Sequence, residues 1–478
     1  MEVSLIDIKA HANERHALYY LRCVSRHKSE WTWFDREWPQ IERAWQWISE
    51  HANPFGLAQA YAIAFEPFMD RRGFWREIES WGEFSLQGLA ASEDQKTLGE
   101  LNVVLGSAQA KLGKLQSSIK SYDQAINAFR ACGDQKSEWD ATNNLATVYH
   151  RQGDLSRALA LYEECLELAR ETNDTRREGI VLSNLGILSS DRGDLRRAIE
   201  YYEKGLSIKR QFGDASGEAS ALNNLASAYT GLGDIPQAIE LHLNAVKIDR
   251  ELGERQREAN AVGNVGLAYI RLGRYKDAVG CCEAQLAIAQ SLGDVRGEAN
   301  ALNNLGLAHA GLGDLELAVD YYMKRLDMAL ELGDIRGQAV TMNNVGDIFR
   351  KLGEYDRAIE IHERVLETQK QIGDVRRQAL TMGKLGLDHA SNGNWTQAID
   401  YLEKGLAISK GIGDRSNVGT IAWNLGLVYA QSGDNKRAAE LMQIRVEYDV
   451  SVDHADLASD AEHVRNIRRR TGERQSEP

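Results

Sequence analysis

The chain has 478 residues, 43% of them hydrophobic and 27% charged, and its 57 Lys and Arg against 70 Asp and Glu give a formal net charge of −13. That acidic balance excludes the broad basic footprint on which nucleic-acid binding rests, and no run approaches the roughly 18 consecutive apolar residues of a membrane-spanning helix. The five cysteines (Cys23, Cys132, Cys165, Cys281 and Cys282) fit neither a disulfide framework nor a zinc spacing, and the N-terminal stretch MEVSLIDIKAHANERH lacks an apolar signal core. The expectation is a cytoplasmic chain without metal or cofactor.

Taken in order, residues 1–56 read as a helical, Trp-rich region, and 57–96 as a degenerate copy of the repeat that follows. Together they hold Trp31, Trp33, Trp38, Trp45, Trp47, Trp75 and Trp81, seven of the ten tryptophans. One reading is a cap over the exposed end of a repeat array, since terminal repeats are atypical. The other begins from the stretch ALYYLRCVSRHKSEWTWFDREWPQIERAWQWISEH. It resembles the segment that joins the nucleotide-binding core to the repeat sensor in bacterial STAND-type ATPases, which implies a sensor module without its motor.

From Thr97 to about residue 450 the chain repeats with a period of 40. Glycines stand at 73, 113, 153, 193, 233, 273, 313, 353, 393 and 433, and a second mark follows 20 residues on, at Gly133, Asn173, Gly213, Gly253, Gly293, Gly333, Gly373 and Gly413. Glycine and asparagine suit the left-handed position that ends a helix, and the Asp that usually follows suits the next N-cap. Between the marks the apolar spacing is helical, as in Leu222, Leu225, Ala226 and Tyr229. Each unit is therefore a helix–turn–helix pair. A second small residue recurs at Ala158, Ala198, Ala238, Ala278, Ala318, Ala358, Ala398 and Ala438, where it lets paired helices approach closely.

The pattern of Leu225, Ala226 and Tyr229, with Ala198 and Tyr202 in the preceding unit, resembles the tetratricopeptide repeat. Its 40-residue variant is similar to the repeats of kinesin light chains, LGN/Pins polarity adaptors and bacterial STAND sensors. The family's early Trp is replaced (Thr142, Leu222, Met342) and its closing Pro is missing. The resemblance implies an all-α, right-handed superhelical solenoid of nine such units over 97–450. Residues 451–478 complete the chain as a capping helix and a basic tail, with RNIRRRTGERQSEP expected to fray.

No phosphate-cradling loop, metal-ligand cluster or nucleophile motif interrupts the repeats, so the chain is not expected to be an enzyme. His309 and His389 fall at the register of Tyr149 and Tyr229, and His242, Cys282 and His362 at that of Tyr202, which makes them packing residues. Glu138, Glu178, Glu218, Glu258 and Glu298 fall in first turns, where the helix dipole favours them.

One column resists a packing explanation. Asn144, Asn184, Asn224, Asn264, Asn304, Asn344 and Asn424 share a register on the first helices, with Asn143, Asn223, Asn303 and Asn343 doubling four of them. Asparagine is a mediocre helix former, so the column needs a reason. In the family the first helices line the concave groove, and these residues resemble the asparagines that grip a ligand's main chain, because a carboxamide both donates and accepts. The alternative is that each amide ties neighbouring repeats together. Ile187, Leu267, Leu307, Leu387, Leu427 and Trp423 would add apolar anchors, and His150, Arg151, Arg271, Arg350, Lys351 and Lys384 basic spots.

The resulting expectation is a protein–protein interaction scaffold or adaptor. It binds an extended peptide bearing acidic and small hydrophobic residues, without nucleic acid or membrane, in an oligomeric state the sequence leaves open. The alternative is a sensor or regulatory module that controls an effector or ATPase through its N-terminal helices.

Overall fold

The structure, a computed structural model, describes residues 5–27, 31–51, 56–87, 89, 94–452, 454 and 456–470. Among these residues it holds 23 helices and no strand, and none of the helices is long and apolar enough to cross a membrane. Two compact units divide the chain between Asn184 and Leu185.

The first unit contains α1 (Leu5–Arg26), α2 (Trp31–Glu50), α3 (Leu57–Arg72), α4 (Trp75–Gln87), α5 (Gln95–Lys111), α6 (Leu115–Cys132), α7 (Gln135–Gln152), α8 (Leu155–Glu171) and the first part of α9 (Thr175–Asp191). The second contains the rest of α9, then α10 (Leu195–Gln211), α11 (Ala215–Leu232), α12 (Ile235–Glu251), α13 (Arg255–Arg271), α14 (Tyr275–Leu292), α15 (Val295–Leu312) and α16 (Leu315–Glu331). It continues with α17 (Ile335–Lys351), α18 (Tyr355–Gln371), α19 (Val375–Ser391), α20 (Trp395–Gly411), α21 (Arg415–Gln431), α22 (Asn435–Val452) and α23 (Leu457–Arg470).

The helix ends follow the punctuation of the sequence. The glycines of both phased series have positive φ, and Asn173, at φ 53°, is the one non-glycine among the described residues that does. Side chains of Asp134, Asp154, Asp194, Asp214 and Asp234 then accept the backbone N–H three residues on, satisfying a donor that the helix itself leaves open. Across these turns a second clasp recurs. Arg130, Arg170, Arg210, Arg250 and Gln290 reach Glu138, Glu178, Glu218, Glu258 and Glu298, eight residues on, at 2.5–2.9 Å. The glutamate column thus does more than oppose a dipole. Later repeats replace the clasp, as Gln338 and Gln378 donate instead to the carbonyls of Ala329 and Gln369.

In the first unit, α1 to α4 enclose an aromatic cluster. Trp45 stacks on Trp81 with centroids 4.3 Å apart, Trp81 on Trp38 at 6.0 Å, and Phe34 on Phe68 at 4.6 Å. The cluster continues into Leu101, Val104 and Ala108 of α5, so the Trp-rich region and the repeats share one core. Large side chains such as Tyr61 and Phe65 are fully removed from water, at about 1.5–3 kcal/mol each. Tyr61 keeps its hydroxyl satisfied by donating to the carbonyl of Ala17.

In the second unit each helix from α10 to α23 packs on its neighbours in sequence. In addition α13, α15, α17 and α19 each touch the next odd-numbered helix, which makes the odd helices from α13 to α21 the inner layer of this unit. Small residues permit the close approach: a Cβ added to Gly306 would lie 2.5 Å from the Tyr322 ring. At the C-terminal end α23 docks through buried Val464 and Ile467. Residues 465–470, expected to fray, are therefore helical, held by Ile467, and 471–478 lie outside the described residues.

Under α23, Asp449 is fully buried with Arg445 Nε 2.9 Å away, and Asp460 faces the same arginine at 3.6 Å. Burial, with the hydrogen bond to Asp460, pushes the Asp449 carboxyl up to about 6 against the partial compensation of Arg445. A raised folded value means that the native state holds the proton more tightly, so its contribution is full below the ordinary carboxylate range and lost as pH rises through about 6.

Two outcomes are expected. Asn173→Val lowers stability by about 1–2 kcal/mol in chemical denaturation, whereas Asn173→Gly changes it by a few tenths, because the position requires a left-handed backbone. Because asparagine cannot ionise, the parent is expected to lose about 2 kcal/mol of stability relative to Asp449→Asn between about pH 4 and pH 7, a difference read by following the melting of both against pH.

Candidate functional site

The exposed face of the inner layer is built by helical spacing alone. On α13, Gln256, Asn260, Asn264, Leu267 and Arg271 fall three to four residues apart and all are exposed or half-buried. The equivalent stripes of successive odd helices set the asparagine column beside a column of Leu267, Leu307, Leu387 and Leu427. This is where the sequence placed its candidate residues, and the structure divides them into two classes.

The first class is tied within the chain. Asn184 donates through Nδ2 to Oδ1 of Asn143, and Asn344 to Oδ1 of Asn303, both at 2.9 Å across 41 residues. Asn304 is buried and donates to Gln285 at 3.4 Å, a long and weak bond. Asn223 accepts from Nδ1 of His242 at 2.8 Å, and burial pushes that histidine down to about 4, so the ring is neutral with its hydrogen on Nδ1. Asn343 donates to Thr381 at 3.1 Å. Asn143 and Asn303 thus accept from the next repeat, Asn343 donates to it and Asn223 accepts within its own, in line with the tying role that the sequence reading gave as the alternative to binding.

The second class is free. Asn144 in the first unit, and Asn224, Asn264 and Asn424 in the second, are half-buried and make no side-chain hydrogen bond to another described residue. Leu267 is exposed, Leu307 and Leu387 are half-exposed, and Ile187 is exposed. Trp423 is different, because its ring lies 5.2 Å from that of His463 on α23, which partly covers it.

The expected basic spots are mostly engaged. Lys384 Nζ reaches Asp347 at 2.6 Å and the carbonyl of Asn343 at 3.4 Å, while Arg350 reaches Asp347 at 2.7 Å and Asp388 at 3.4 Å. Lys351 donates to the carbonyl of Ala310 and Arg271 to that of Thr230. Arg151 is exposed and makes no side-chain hydrogen bond or ion pair with another described residue. Asp347 therefore cancels much of the positive charge at this point of the stripe, and the acidic-ligand preference read from the sequence loses support there.

Sequence reasoning missed Asp347 and Asp388. Asp388 is fully buried at a register that holds Ala228, Ala268, Ala308, Ile348 and Val428 in other repeats. Its carboxylate meets Nδ1 of the fully buried His362, whose Nε2 faces the carbonyl of Asn343 at 3.1 Å. The imidazole is held through both ring nitrogens. His362 is thus more than a packing residue, and the signal for it was a charge in an apolar column. His309 and His389 do pack, each stacked at 5.4 Å on Tyr321 and Tyr401. Burial raises Cys281 and pushes Cys282 up to about 12, which leaves both as thiols rather than a reactive pair. No group of three or more metal-ligating side chains occurs among the described residues.

The sequence model of the tetratricopeptide repeat matches residues 97–171, 139–211, 217–279, 257–331, 337–411 and 377–443. No curated protein matches the chain. Among solved structures, the Rap protein complexed with Competence and Sporulation Factor is 17% identical, with a TM-score of 0.50 over 74% of this chain and 99% of that one. BtubC (BKLC) from P. vanneervenii is 25% identical, with a TM-score of 0.42 over 46% of this chain and 92% of that one. A STAND protein with a tetratricopeptide repeat sensor from Pyrococcus horikoshii is 14% identical, with a TM-score of 0.47 over 90% and 72%. These likenesses concern the fold, whereas the sequence matches cover well over half of the residues in the register of the helix pairs. The chain belongs to the tetratricopeptide-repeat family.

Proposed function

We propose that the chain is a non-enzymatic interaction module whose inner helix layer binds an extended segment of a partner protein. Tetratricopeptide repeats are in general protein-interaction modules, and one observation supports the finer reading for this chain. In the second unit, Asn224, Asn264 and Asn424 present half-exposed carboxamides with no partner in the chain, on the same stripe as the exposed Leu267 and half-exposed Leu307. A carboxamide offers one acceptor and two donors, which matches the alternating carbonyls and N–H groups of an extended main chain whatever its side chains are. The leucines supply shallow apolar seats between them. Extended segments bound through their main chain need such a spacing of polar groups along a rigid support, and helices provide it better than loops do.

The two classes of asparagine give the test. Peptides are selected on the parent protein from a random displayed library, and their affinities measured for two variants. The triple variant Asn224→Ala, Asn264→Ala, Asn424→Ala is expected to melt close to the parent and to bind the selected peptides about tenfold or more weakly. The variant Asn184→Ala, Asn344→Ala is expected to lose about 0.5–1.5 kcal/mol of stability for each removed bridge. Unchanged peptide affinity in the triple variant contradicts the proposed role.

A further inference from the structure

Within the second unit, a pocket of about 710 Å3 lies between the turn entering α15 and the turn entering α17. Its wall includes Asp294, Arg296, Asn300, Arg325, Ala329 and Asp334. Arg325 is the unusual member. It occupies the register of second helices that holds Cys165, Gly205, Ala245, Gln285, Val365 and Gly405 elsewhere, where the chain has little room. The guanidinium is nevertheless buried, with 8% of the residue exposed.

Only part of that guanidinium is satisfied. Nη1 donates to the carbonyl of Gly337 at 2.6 Å and to Oγ1 of Thr341. Nε is buried without a partner, and Nη2 makes no hydrogen bond to a described residue. No carboxylate among the described residues comes within ion-pair distance. Nε and Nη2 share one edge of the planar group, the fork that holds a carboxylate or a phosphate by two parallel hydrogen bonds. A buried cation with that edge open is costly unless something fills it.

The same register shows what is missing. In α22 it is held by Arg445, and four residues on, Asp449 places its carboxylate 2.9 Å from Arg445 Nε. Four residues after Arg325 stands Ala329, and the pocket opens against it. The space therefore lies where the internal carboxylate of the other repeat would be. The two aspartates in the wall each accept a hydrogen bond, Asp334 from the backbone N–H of Gly337 at 2.9 Å and Asp294 from the amide of Gln256, and the charge of Asp334 acts on Arg325 from beyond ion-pair distance. Arg296 adds a second, exposed cation, and the N-cap residues of α15 and α17, Asp294 and Asp334, lie in the same wall.

We propose that this pocket is an oxyanion site, in which a carboxylate or phosphate group occupies the Nε–Nη2 edge of Arg325 with Arg296 and Asn300 beside it. The site stands on its own observations and does not require that the inner layer bind a peptide.

The test is calorimetric titration of the full chain with inorganic phosphate and, separately, with acetate, at fixed ionic strength set by chloride. The parent is expected to bind one anion per chain below about 50 mM, and the tighter of the two identifies the group the site prefers. Arg325→Gln, which installs the residue that Gln285 supplies at this register, is expected to weaken binding tenfold or more, by roughly the worth of a charged bidentate contact. Ala329→Asp keeps Arg325 and restores the internal carboxylate, so a variant shown to be folded by circular dichroism is expected to have lost anion binding. No binding of either anion to the parent overturns the proposal. So does binding by a folded Ala329→Asp chain as tight as the parent's.

Discussion

Everything in this chain depends on two left-handed turns recurring every 40 residues without an inserted or deleted residue. A turn of fixed geometry makes each helix leave at the same angle, so a residue's position within the 40 determines which way it points. Columns in the sequence thereby become stripes on the protein. The backbone requirement is strict enough that glycine fills almost every turn, with Asn173 as the permitted exception. Once that frame is set, hydrophobic burial between consecutive helices supplies the stability and small residues such as Gly306 set how close the helices come.

Function in such a frame is written as departures from a column. An apolar column tolerates Asp388 because His362 and Arg350 stand ready to receive it, and a column with few long side chains tolerates Arg445 because Asp449 and Asp460 do the same. Arg325 is the departure that no carboxylate among the described residues meets at ion-pair distance, and it lines a pocket. The asparagine column is subtler, since the residue is nearly constant while its partners are not. Where the preceding repeat offers Asn143 or Asn303, the carboxamide is spent on a bridge, and where Gly263 stands at the equivalent place, Asn304 turns to Gln285 instead.

This pattern sets what could be read from the residues. The helix pairs, their turns and the buried alanine column are properties of one repeat, so spacing alone revealed them. Contacts between repeats depend on two side chains about 40 residues apart, and neither reveals its choice by itself. Thus the spacing of Lys384 and Arg350 does not show Asp347 between them, and that of Asn143 and Asn303 does not show the hydrogen bonds they receive from Asn184 and Asn344. Trp423 seemed open to a ligand because nothing in its own repeat places α23 beside it. The columns did hold the missed signals, in the form of a charge at positions 347 and 388 where other repeats place uncharged residues, and at 325 in a column where Arg445 is the other charge.

The central claim is that one asparagine column carries two physical roles, bridging at some repeats and open at others. Solvent exchange of the side-chain amide protons, followed by nuclear magnetic resonance on selectively asparagine-labelled protein, addresses it directly. The account predicts slow exchange for Asn184 and Asn344, whose Nδ2 groups are committed at 2.9 Å, and fast exchange for Asn224, Asn264 and Asn424. Equal protection across all five would mean that the column has a single structural role and that its free members are not a binding surface.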